Sequence, residues 1–114
     1  MTLSEAIRLG AMTGSQAFSV METHDGATCA LGAACRAAGF GRGNDRFSAM
    51  RNTWPILAQI ARCPALVDGC DTVDAALESV IIYLNDEAKW SREHIADFVL
   101  KLEQAAVVTP LAVA

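Results

Sequence analysis

No run of apolar residues in this chain approaches the eighteen or so that cross a bilayer. The opening "MTLSEAIRLGAM" also lacks the basic-then-apolar layout of a secretory leader. Both absences point to a cytoplasmic protein with no membrane partner. Charge is scarce: 19% of the 114 residues are charged, against 53% hydrophobic. A chain so apolar buries a core rather than remaining disordered. Positive charge is the scarcest kind, nine Lys and Arg against thirteen Asp and Glu, for a net charge of −4. Nucleic-acid binding relies on clustered cations that neutralise phosphates, so nucleic acid is not an expected partner. Neither GxxxxGK[ST] nor GxGxxG surrounds the glycines of "GRGNDR" (41–46), which removes the common phosphate-cradling loops.

What is present fits one domain over residues 1–114. It is long enough to form a core without disulfides or metal, although with a thin stability margin. The pattern predicts a mainly α protein, a compact bundle of four to five short helices with a small β-hairpin near residues 17–30. Thr2 and Glu5 have the spacing of a capping box, and Leu3, Ala6, Ile7 and Ala11 recur at helical intervals to about Met12. "AFSVME" (17–22) alternates like a short strand, "THDGA" (23–27) places Asp-Gly at a turn, and "TCA" offers a return strand. "CALGAACRAAGF" (29–40) reads as a helix of small residues able to approach a neighbour closely, ended by Gly39.

Residues 51–63 read as a short helix capped by Thr53, with Pro55 in its first turn and Trp54, Leu57, Ile60 and Ala61 facing inward. A longer amphipathic helix begins near Val73, with Val73, Leu77, Val80, Ile81 and Leu84 on one face. Asn85 is suited to end it in the left-handed region. Ser91 is a good N-cap for the next helix, whose Glu93 favours the helix dipole and whose Ile95, Phe98, Val99 and Leu102 face inward. These two helices are expected to pack as an antiparallel pair, plugged at the corner by Trp90, with Trp54 and Phe18 as further core anchors. The tail "AAVVTPLAVA" (105–114) suits an edge strand or a contact with a partner, a homo-oligomer included.

Chemistry-bearing residues are thinly spread. "SREHIADFV" invites a helix-turn-helix reading, but that motif needs a second helix presenting polar side chains to base edges, and only the apolar tail follows. Cys29, Cys35, Cys63 and Cys70 are expected to be reduced thiols, chiefly small buried hydrophobes. An enzyme built on Cys29 or Cys70 with a histidine is the third-ranked reading, and no catalytic residue is assigned. Asp86 and Glu87 suit a solvated helix end, where Arg92 could pair with either across the corner. Asn85 and Asp86 are expected to bond backbone groups at the joint, making Asn85, Asp86, Trp90 and Ser91 a structural joint. His24 reads as an exposed turn residue, and His94 as lying on the outer edge of the last helix. Arg42, Arg46 and Arg51 form the densest basic group and are the candidate anion-binding set, for a nucleotide or other small ligand.

"SEAIRLGAM…QAF…CALGAACRAAGF" followed by "LNDEAKWSREHIADFV" resembles a family of small uncharacterised bacterial and phage proteins. Their pattern continues from "CALGAA" through Cys-Pro-x-Cys to His-Leu-Asn-Asp-x-x-His-x-Trp-[Ser/Thr]-Arg-Glu-x-Ile-Ala-Asp-Trp. Two cysteines two apart with two histidines about a turn apart would suit zinc. This chain keeps Cys63-Pro64 but has Leu66 at the second cysteine, and Tyr83 and a residue near Ala88 at the histidines. The departures imply a member that has lost the clip, a degenerate zinc module with no metal and no cofactor. A replacement site from Cys63, Cys70 and His94 is the alternative. The resemblance implies a phage or mobile-element setting. With the acidic charge and small size, it leads to a non-enzymatic accessory protein that binds a host protein, a defence component included. The runner-up is a nucleotide-binding sponge.

Overall fold

The computed structural model describes residues 1–41, 45–65 and 74–113, with side chains as far as residue 105. Its elements are α1 (Leu3–Ala11), α2 (Ala30–Ala38), α3 (Arg46–Thr53), a 3-10 turn (Pro55–Ala58), β1 (Ile60–Arg62), β2 (Asp74–Ala76), α4 (Leu77–Asp86) and α5 (Arg92–Val113). The protein is mainly α with one small antiparallel pair of strands, in which Ile60, Ala61 and Arg62 face Ala76, Ala75 and Asp74.

Local signals set several of these boundaries. Thr2 accepts from the Glu5 amide while Glu5 accepts from the Thr2 amide, a complete capping box on α1. Gly39 ends α2 at φ 78°, a conformation that costs glycine little. Ser91 Oγ accepts from the His94 amide at 3.1 Å and starts α5.

The core is built on α2, whose residues Ala30 to Cys35 are all buried. Its small side chains allow the close approach that their size suggests: a Cβ on Gly10 of α1 would lie 1.9 Å from the Ala33 carbonyl oxygen. A Cβ on Gly32 would lie 2.0 Å from the Met21 carbonyl oxygen. Around this crossing pack Leu3, Ile7, Leu31, Met50, Trp54, Leu57, Leu77, Val80, Ile81, Leu84, Ile95 and Val99. Each large aliphatic side chain buried here contributes about 1.5–3 kcal/mol relative to exposure.

The antiparallel partner of α5 is α1 rather than α4. The start of α5 reaches the end of α1 through Arg92 and the Ala11 carbonyl. Its middle meets α1 at Asp97 and Arg8, and Glu103 bonds the Ser4 hydroxyl at 2.5 Å near the α1 N-terminus. The order suits the helix dipole, with a cation at the C-terminal end of α1 and a carboxylate at its N-terminal end. Contact between α5 and α4 is much less extensive.

Other expectations also change. The ladder lies at 60–62 and 74–76 instead of 17–30, where Thr28 makes only isolated bridges to Gln16 and Glu22. The Thr23–Ala27 turn does form, with Thr23 N donating to Ala27 O at 2.8 Å. Ser19 at φ 67° bends the chain out of a continuous strand. Phe18 is therefore 41% exposed and is no core anchor, whereas Trp54 is buried.

The segment 51–63 divides into the end of α3, the 3-10 turn and β1, leaving Ile60 exposed. Trp54 closes α3, and Pro55 starts the 3-10 turn because it cannot donate to a continuing helix. The α4 helix starts at Leu77, and Val73 lies outside the described residues. Beyond residue 105 the chain stays helical to Val113 rather than forming an edge strand. Extending a formed helix adds a hydrogen bond per residue without a new nucleus.

Candidate functional site

Asn85 does not end α4 in the left-handed region; Lys89 does, at φ 59°. The Trp90 amide returns to Leu84 O at 2.9 Å, and the amides of Glu87 and Ala88 both reach Tyr83 O. This closure resembles a Schellman cap with a lysine in the usual glycine position. Asn85 stays helical and is 1% exposed. Its Oδ1 accepts from Ala30 N at 3.1 Å and from Gln16 Nε2 at 2.9 Å. Its Nδ2 donates to Ala17 O at 2.9 Å and to Asp86 Oδ1 at 2.7 Å. Asp86 Oδ1 also accepts from the Ser19 amide at 2.9 Å.

Arg92 is the second polar centre of the joint. It does not pair with Asp86 or Glu87 at the surface; it is buried against backbone carbonyls. Nη1 donates to Ser15 O at 3.2 Å, Thr28 O at 3.4 Å and Thr28 Oγ1 at 3.0 Å. Nη2 donates to Ala11 O at 3.2 Å and Gly14 O at 2.5 Å. Nε is buried with no hydrogen-bond partner among the described residues. Burial pushes the guanidinium below its ordinary pKa. Gln16 links the two centres, since its Nε2 also donates to Trp90 O at 2.7 Å. Trp90 is half-buried, stacked on exposed His94 at 3.7 Å and edge-on to Phe98.

Asn85, Asp86, Trp90 and Arg92 thus form a hub that holds residues 11–30, while Ser91 caps α5 beside it. The sequence identified Asn85, Asp86, Trp90 and Ser91 as a joint but placed the backbone partners of Asn85 and Asp86 within the corner itself. Gln16, Thr28 and Arg92 were not assigned to it. A polar residue between apolar helical positions, such as Asn85 after "VIIYL", was the available signal that a buried partner lay elsewhere in the chain.

Above the hub, Val20, Met21, Leu31, Ile81 and Ile82 line an open cleft of about 140 Å³, with Cys29, Ser19 and Asp86 at its wall. Val20 and Ile82 are 49% and 40% exposed. Phe18 lies beside them in sequence under the Lys89 ammonium, 4.4 Å from the ring centre. A second groove of about 210 Å³ includes Ile60 and Leu102, and none of its described lining residues is charged.

Arg46 and Arg51, the described members of the basic group, each face a carboxylate. Arg46 faces Glu22 at 3.9 Å, and Glu22 also pairs with Arg36 at 3.1 Å. Arg51 makes a two-pronged contact with Glu78 at 3.0 and 2.9 Å. The hollow of about 390 Å³ beside Arg46 has the Asp45 carboxylate in its lining as well. Arg42 lies outside the described residues.

The thiols are similarly committed. Cys29 caps α2 by accepting from Gly32 N at 3.3 Å, and burial raises its pKa. Burial pushes Cys35 up to about 11. Cys63 donates to Ala65 O at 2.9 Å, while Leu66 and Cys70 lie outside the described residues. Among the described residues, no three His, Cys, Asp or Glu side chains gather closely enough to hold a metal ion. Likewise, no helix among them is long and apolar enough to cross a membrane. Comparison with protein-family models, with curated proteins and with solved structures finds no match to this chain.

Proposed function

We propose that this chain is a non-enzymatic accessory protein of phage or mobile-element type. It acts in the cytoplasm by binding a host protein through the face formed by Phe18, Val20 and Ile82. The observation that carries this reading is the exposure of Val20 and Ile82 at one cleft, with exposed Phe18 two residues before Val20, above a loop tied down at Ser19, Ala17 and Gln16. Grouped apolar surface on a small domain marks an interaction site more often than scattered apolar residues do. A loop already held in place loses less entropy on association.

The setting rests on the family resemblance. A defence component as the partner rests on the net charge of −4, which suits occupation of a basic host surface. A nucleotide sponge ranks lower because Arg46 and Arg51 already face carboxylates. A cysteine enzyme ranks lower because burial holds Cys29 toward its un-nucleophilic thiol form.

Photo-crosslinking tests the reading. A benzophenone side chain at Val20 or Ile82 should give one discrete protein adduct in host lysate, and the same group at exposed Gln104 should not. Identical adduct patterns from all three positions, or none from Val20 and Ile82, would overturn it.

A further inference from the structure

We infer that the cleft beside Asp86 receives one aliphatic side chain of a partner peptide, with a basic group next to it. This inference rests on the docking face proposed above and specifies the chemistry of its occupant. Size gives the first constraint. About 140 Å³ matches a single branched aliphatic group, whereas sites for whole small molecules are about 300–1,000 Å³. The walls give the second. Val20, Met21, Leu31, Ile81 and Ile82 offer hydrocarbon and one thioether, so a hydrocarbon probe loses no hydrogen bond on entry.

Charge gives the third constraint and selects the neighbour of that aliphatic group. Among the described lining residues, Asp86 alone is charged. Its Oδ1 is occupied by the Ser19 amide and Asn85 Nδ2, while Oδ2 has no hydrogen-bond partner among the described residues. The nearby cation, Lys89, is placed over the Phe18 ring. A carboxylate oxygen at the wall of an apolar cleft favours a cationic donor on the incoming segment and disfavours an anion. The larger groove at Ile60 has no such selector.

Three probes with the same branched chain isolate this term: 3-methylbutylammonium, 3-methylbutan-1-ol and 3-methylbutanoate. Each is titrated into the 15N-labelled full chain, following the Val20, Met21 and Ile82 amides and the alkylation rate of Cys29. All three should enter with millimolar affinity. The ammonium should bind about two- to fivefold more tightly than the alcohol, the worth of a partly exposed ion pair, and the carboxylate should bind most weakly. Each bound probe should slow Cys29 alkylation. Raised salt should narrow the preference. Asp86→Asn, which keeps an oxygen for the Ser19 amide, should abolish it while the alcohol still binds. Equal binding of all three, or tightest binding by the carboxylate, would overturn the inference and leave the docking face standing. No response from any probe would overturn both.

Discussion

Asn85 caps a helix that begins 55 residues before it: its Oδ1 accepts the first backbone N–H of α2, from Ala30, at 3.1 Å. The same side chain holds Gln16 and the Ala17 carbonyl. Asn85→Ala leaves these buried groups without that partner, at about 1–3 kcal/mol for each one left unsatisfied. Chemical denaturation should show a loss of about 2–4 kcal/mol, with the denaturant slope unchanged. A loss typical of an exposed helix residue would contradict the assignment.

Arg92 tests the other half of the hub. Lysine keeps the charge but has three donors on a flexible stem and cannot reproduce a planar fork. Its ammonium cannot span the carbonyls of Ala11, Gly14, Ser15 and Thr28 together. Arg92→Lys should therefore cost about 2–3 kcal/mol. Lys101→Arg, at an exposed position of the same helix, should be nearly neutral, and thermal melts of the two variants compare them directly.

Gly10, against α2, and Gly32, against the Met21 backbone, give outcomes opposite to helix propensity. Alanine is the better helix former by about 1 kcal/mol, yet Gly10→Ala and Gly32→Ala place a Cβ against backbone oxygens at 1.9 and 2.0 Å. Both should destabilise by about 3 kcal/mol through overpacking. Gly41→Ala, which meets no described atom within 4 Å, should change stability by under about 0.5 kcal/mol.

Stability should fall on the alkaline side. Cys35 has its pKa raised from 9.0 to about 11 by burial, so the folded chain holds a proton that the unfolded chain releases first. Its contribution is full below pH 9 and declines as pH rises from there through about 11. Cys35→Ala should flatten this slope even though it lowers stability at neutral pH. Cys29, raised for the same reason, leaves a residual slope.

The legible parts of this fold were those decided within a few residues. Thr2 with Glu5, Gly39 after the alanines, and Ser91 before α5 each satisfy their own helix end. The α4 stripe was visible for the same reason, because Leu77, Val80, Ile81 and Leu84 recur at the helical period and are all buried. The α3 helix was missed as a unit because Met50 is its single buried residue, leaving no apolar period to detect. The hub was misread because its bonds cross large sequence distances: Arg92 reaches Ala11, 81 residues away. An arginine two residues after a corner tryptophan looks like a solvent contact until its partners are known. Phe18 was assigned to the core by hydrophobicity, but the left-handed Ser19 turns that segment outward and makes it part of the candidate site.

The hub presents residues 17–21 as a pre-set surface, a property that backbone 15N relaxation reads with no partner present. Order parameters at Ala17, Phe18, Ser19, Val20 and Met21 should lie close to those of α2 and α4, about 0.85. They should fall in Asn85→Ala and Arg92→Lys. Values below about 0.6 in the unaltered chain would contradict the account, since the face would then not exist before its partner arrives.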